Sequence, residues 1–182
     1  MKQRDDIKNA KSWIKDKPMP AGLEMGFRKN GWYDWLDKVY QRTAELVSEN
    51  ADKPDAVIRH LKQILPCIAF YEILLEKEAD QEQALAIFEK YCFTKIRKMA
   101  KALPVIMKIP GLYQKVPGIM NKMVDSTFGP AAGFEGVPVD CKDGFAMDMV
   151  KCPYVETCKK YGCPELAPVS YTHLTLPTMA VV

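Results

Sequence analysis

A chain of 182 residues, 48% apolar and 27% charged, has the make-up of one globular domain, or one domain with an extension, and not that of a disordered tail. A net charge of +3 is too small to specify a nucleic-acid partner, and no apolar run reaches the length of a membrane span. The amino terminus MKQRDDIKNAKSW lacks an apolar secretory core, so the expected compartment is the cytoplasm, where thiols stay reduced; six cysteines are also too few for a disulfide scaffold.

Residues 1–16 read as a short polar helix, and Pro18, Pro20 and Gly22 as a break after it. Gly31 precedes a helical pattern in which Trp32, Trp35, Leu36, Val39, Leu46 and Val47 recur on one side. Asp52 is placed to cap a second amphipathic helix, with Pro54 in its first turn. Val57, Leu61, Ile64, Leu65, Ile68 and Leu75 line one face of that helix, and Pro66 is expected to kink it. His60 lies at the edge of the same face and reads as structural. Asp80 and Gln83 have the spacing of a capping box for a third face running from Ala84 to Leu103. Pro104, Pro110 and Pro117 then cut the chain into short pieces, and from Lys90 to Val124 there are basic but no acidic residues. This stretch reads as a solvated basic face; the alternatives are an anionic-membrane contact or, over residues 99–124, the wall of an apolar ligand site. FGPAAGFEGVPVDCKDG reads as a loop, GFAMDMVK as a strand ending at Lys151 and Cys152, and PYVETCKKY as a short helix stopped by Gly162. The fold class is α+β and predominantly helical: amphipathic N-terminal helices followed by a truncated strand–helix part.

The cysteines carry most of the chemistry. Pro153 suits the first helical position, which makes Cys152 the N-cap. A thiol there faces unpaired amides and the positive end of the helix dipole, both of which favour the nucleophilic thiolate. The other reading of Cys152 is a capping or buried residue without chemistry. Tyr154, Val155, Cys158 and Tyr161 share one helix face, so Cys158 reads as core, and Cys163 reads as packing on it beyond a glycine-terminated helix end. Cys67 and Cys92 fall on apolar faces. Cys141, Cys152, Cys158 and Cys163 offer four thiolates, but their spacing lacks the close pairs of structural zinc sites, so neither metal nor cofactor is expected. Asp140, Asp143, Asp148 and Glu165 are the acidic groups near enough in sequence to assist Cys152.

The segment VSYTHLTLPT, residues 169–178, departs from the style of the chain. Back-translated with suitable codons it resembles a transposon sequencing adapter read in one frame, which marks residues 169–182 as a non-native tail and sets His173 aside. The other reading is a strand, since Val169, Tyr171, His173 and Thr175 alternate.

FAMDMVKCPYVETCKKYGCPELAPV resembles the signature region of the L-2-amino-thiazoline-4-carboxylic acid hydrolase family, and ILPCIAFYEILLEKEADQEQAL resembles its central helices. The likeness spans roughly residues 30–168 and is most specific from Phe145 to Leu166, where Cys152-Pro153-Tyr154, Gly162 and Pro164-Glu165-Leu166 carry it. The resemblance implies an N-terminal extension (1–30) and one hydrolase-like domain (31–168) that stops short of a further family segment. It also implies a cytoplasmic enzyme acting on a small-molecule substrate, the cyclic amidine 2-amino-thiazoline-4-carboxylate, which is opened to N-carbamoyl-L-cysteine. On that footing Cys152 and Asp148 are the candidate catalytic residues, Asp148 holding the protonated amidine. Lys151 and Tyr154 are the candidate substrate-binding residues, Lys151 meeting the substrate carboxylate. The contrasting expectation is a non-catalytic small-molecule or lipid-binding module, peripheral to a membrane.

Overall fold

The computed structural model describes residues 2–94, 127–139 and 146–168, together with the single positions 97, 118 and 122. The elements are α1 (Lys2–Asp16), α2 (Pro18–Lys29), α3 (Tyr33–Glu49), α4 (Asp55–Glu78), α5 (Gln81–Cys92), a 3-10 turn (Pro130–Ala132), β1 (Glu135–Val139), β2 (Ala146–Lys151) and α6 (Pro153–Lys160). This is a predominantly helical α+β architecture, as the hydrophobic periodicity predicts.

The N-terminal prolines open a helix instead of breaking the chain. Lys17 is extended (φ −115°, ψ 139°), as a residue before proline prefers, and Pro18 then begins α2. Pro18 and Pro20 occupy the first turn, where amides lack intrahelical acceptors in any case. Ile14 of α1 and Met19, Leu23 and Phe27 of α2 are fully buried in the same core as α3, α4 and α5. Gly22 and Gly26 set the distance between α2 and α5. A Cβ at Gly22 would lie 2.5 Å from the Tyr91 carbonyl oxygen, and one at Gly26 would lie 2.3 Å from the Tyr91 ring.

The helix α4 runs through the middle. Its cap falls two residues after the expected one: Pro54, not Asp52, is the N-cap residue, without a side-chain capping bond. Its sequence pattern predicts one apolar face, but every residue from Ile64 to Tyr71 is buried, because α1, α2, α3, α5 and α6 all pack on it. The helix is continuous through Pro66. At α5 the expected cap is present: the Asp80 carboxylate accepts from the amides of Glu82 and Gln83, and the Gln83 side-chain amide donates back to it.

The strand β2 pairs antiparallel with β1, which the Gly- and Pro-rich sequence had disguised as loop. The register sets Val137 opposite Asp148 and Pro138 opposite Met147, with an irregularity between Glu135 and Gly136. Pro138 is tolerated because each strand of a two-stranded sheet is an edge. Val137, Val139 and Val150 are exposed on the sheet, while Met149 packs against the core.

The basic stretch 99–124, apart from positions 118 and 122, and Cys141, Asp140, Asp143 and the segment 169–182 lie outside the described residues. Among those described, no helix is long and apolar enough to cross a membrane.

Candidate functional site at the start of helix α6

The chain leaves β2 and enters α6 within one residue. Cys152 is the N-cap in extended geometry (φ −142°, ψ 118°), Pro153 is the first helical residue, and the Cys152 carbonyl accepts the Glu156 amide at 3.1 Å. The Cys152 thiol makes no capping hydrogen bond, and the residue is buried, 5% exposed. The far end of α6 closes as its sequence predicts. The Cys163 amide donates to the Cys158 carbonyl at 2.9 Å and the Gly162 amide to Lys159 at 3.1 Å, with Gly162 left-handed at φ +70°. The Cys163 thiol also lies 3.5 Å from the Cys158 carbonyl.

The first turn of α6 is held from three sides. Gly133 sits against Pro153, where a Cβ would approach the proline ring to 3.1 Å. Thr157 donates its hydroxyl to the Pro153 carbonyl. Tyr154 is engaged by His60 of α4, whose Nδ1 lies 3.0 Å from the Tyr154 hydroxyl. The other imidazole nitrogen, Nε2, lies 2.8 Å from the Thr127 carbonyl oxygen. A carbonyl only accepts, so the proton of the neutral ring belongs on Nε2; Nδ1 then carries the lone pair, and the Tyr154 O–H donates to it.

Apolar rings enclose this pair. Phe134 meets the His60 ring edge-to-face at a 4.8 Å centroid distance, and Phe128 lies at 5.6 Å. Burial pushes the His60 pKa below its ordinary value, and the positive charges of Arg59 and Lys17 push the same way against the Thr127 hydrogen bond. Burial likewise raises the Tyr154 pKa, with the Cys152 and Cys67 thiols adding to it. Both groups are therefore neutral at neutral pH.

Among the described residues, Cys67, Cys92, Cys158 and Cys163 are likewise buried and form no disulfide. Burial, with a hydrogen bond to Cys92, drives the Cys67 thiol up; a hydrogen bond to Cys163, with burial, does the same for Cys158. Neither is poised as thiolate. Among the described residues no three His, Cys, Asp or Glu side chains gather into a group that could hold a metal ion; Cys141, one of the four thiols considered, lies outside them. Glu165 is engaged elsewhere, accepting from the Tyr71 hydroxyl at 2.6 Å and the Gln81 amide at 3.0 Å.

The structure thus places Cys152 and Tyr154 in the interior, Tyr154 bonded to His60, and Asp148 and Lys151 on the exposed strand leading to them. His60 is buried and bonded at both ring nitrogens, in keeping with its structural reading; its partners Tyr154 and Thr127 were not anticipated. The available signal was a histidine on an apolar helix face, a position that requires buried polar partners.

No curated protein and no solved structure matches the chain. A family model described as L-2-amino-thiazoline-4-carboxylic acid hydrolase matches residues 59–172, from the turn of α4 that carries His60 through β1, β2 and α6. With more than half of its length matched, the chain belongs to the L-2-amino-thiazoline-4-carboxylic acid hydrolase family.

Proposed function

We propose that the protein is a hydrolase that opens the cyclic amidine 2-amino-thiazoline-4-carboxylate to N-carbamoyl-L-cysteine at the β2–α6 junction, in the cytoplasm. The observation that carries this reading is the placement of Cys152. Its thiol stands at the N-cap of a proline-started helix, without a capping bond to occupy it, inside the segment matched to the family. The amides at the start of the helix are placed to stabilise negative charge that develops beside Cys152 during attack.

In the proposed reaction the Cys152 sulfur attacks carbon 2 of the protonated ring, which is bonded to sulfur and two nitrogens. The carbon–sulfur bond of the ring breaks, and the departing sulfur takes a proton to become the thiol of the product. Water then adds to the same carbon, the bond to Cys152 breaks and its thiol is regenerated, so that one water is consumed per ring opened. Asp148 is assigned to the amidinium and Lys151 to the substrate carboxylate, both from the exposed strand; Tyr154 is assigned to the wall of the site.

The test incubates the protein and its Cys152→Ser variant with 2-amino-thiazoline-4-carboxylate and follows N-carbamoylcysteine by mass spectrometry. Product from the natural protein and a loss of at least about 100-fold in the variant are expected. Equal turnover by the variant removes Cys152 as nucleophile. Saturable binding without product from either protein replaces the hydrolase with a binding module.

A further inference from the structure

We infer that His60 is a positioning residue for the Cys152 centre, acting through Tyr154 and only while its imidazole is neutral. The inference rests on reading Cys152 as the reactive group.

Three observations lead to it. His60 is bonded at both ring nitrogens, to a backbone carbonyl at 2.8 Å and to a phenol at 3.0 Å, and these two partners permit one neutral tautomer. Its partner Tyr154 is the second residue of α6, two positions from Cys152, so the bond fixes the turn that presents the thiol and the helix amides. The bond spans 94 residues of sequence and ties α4 to α6 at the end where the thiol is, while the opposite end is closed by its own Cys158–Cys163 contacts.

Protonation reverses the polarity of the contact. An imidazolium has N–H groups at both nitrogens, so Nδ1 no longer accepts from Tyr154. The phenol must then turn its own proton away into a site walled by Phe128 and Phe134. The charged groups facing His60 do not welcome another cation: Arg59 on α4 and Lys17 before α2 are both positive, and Tyr154 on α6 is held neutral by burial. The contact then survives only as Nδ1–H donating to the phenol oxygen, with the phenol proton left without a partner, and the anchor of the first turn of α6 weakens as the medium becomes acid.

The test uses His60→Asn, His60→Ala and Tyr154→Phe in the full protein, each verified as folded by circular dichroism. Asparagine places a carbonyl oxygen near the position of Nδ1, where it accepts from Tyr154 but cannot be protonated. The first readout is the rate at which iodoacetamide alkylates Cys152, followed on its peptide and expressed as a variant-to-natural ratio at each pH, which cancels the titration of the thiol itself. For His60→Asn the ratio is expected near unity at about pH 8 and to depart from it below about pH 6.5, where the anchor weakens only in the natural protein. His60→Ala and Tyr154→Phe are expected to differ from the natural protein by about tenfold at the higher pH, with Asn recovering most of the Ala effect. A ratio for His60→Asn that stays flat with pH, or an Asn variant no better than Ala, overturns the inference. If His60→Ala does not fold, the Asn and Tyr154→Phe profiles decide alone.

Turnover of 2-amino-thiazoline-4-carboxylate is the second readout. Its absence from the natural protein refutes the hydrolase reading, while the alkylation ratio still decides the role of His60. A flat ratio in a protein that does turn over refutes the positioning role and leaves the hydrolase standing.

Discussion

His60 is the residue whose chemistry is most sensitive to conditions, and its effect on stability has a definite sign. Burial lowers its folded-state pKa below the ordinary value of 6.5, so the unfolded chain takes up this proton more readily than the folded one. The stability that the neutral ring contributes is complete above about pH 6.5 and is lost as pH falls through the folded pKa. Urea midpoints measured across that range are expected to fall on the acid side for the natural protein and to fall less for His60→Asn; parallel curves would assign the acid loss to other groups. The same residue shows where sequence reading stops. Cys152, Pro153, Gly162 and Cys163 were legible because a cap, a proline start and a glycine end are local chemistry, written within a dozen positions. The His60–Tyr154 bond joins residues 94 apart, and nothing in either neighbourhood names the other.

At the scale of elements, the prolines and glycines near the amino terminus change meaning once partners are present. Pro18 and Pro20 carry the same local signal whether they end one segment or begin another, and the burial of Met19, Leu23 and Phe27 decides for the helix. Gly22 owes its identity to α5. On an open helix surface Gly→Ala stabilises by about 1 kcal/mol, but here the new methyl meets the Tyr91 backbone oxygen. Gly22→Ala is therefore expected to destabilise by about 1–3 kcal/mol in denaturant unfolding; a gain in stability would mean that α2 and α5 do not approach as described. The strand β1 escaped notice for a related reason. EGVPV carries a glycine and a proline that disfavour a strand, and only its pairing with β2 makes it one.

For the whole molecule, the helical character and the α+β class followed from periodicity, but the central place of α4 did not, since a pattern records apolar positions and not how many neighbours cover them. Burial of both sides of α4 makes it the common wall of the N-terminal helices and of the β2–α6 unit. Tyr71 shows the coupling most directly. Its ring is fully buried in the core while its hydroxyl reaches the Glu165 carboxylate beyond the end of α6, in the Pro164-Glu165-Leu166 element of the family resemblance. Tyr71→Phe removes that bond and leaves the packing, with an expected cost of about 1.5–3 kcal/mol in urea unfolding; an unchanged midpoint would show that the carboxylate finds water as a full substitute.

The concealment of sulfur has a practical consequence. Cys67, Cys92, Cys152, Cys158 and Cys163 are all buried, and they come from α4, α5 and the region of α6, so that every opening of the core uncovers thiols at known places. A brief pulse of alkylating reagent followed by peptide mapping would therefore record which part of the molecule breathes first, with no label added: apart from Cys152, which answers to substrate and reagent in the folded protein, four natural probes, silent while the fold is shut, each reporting the moment its own wall gives way.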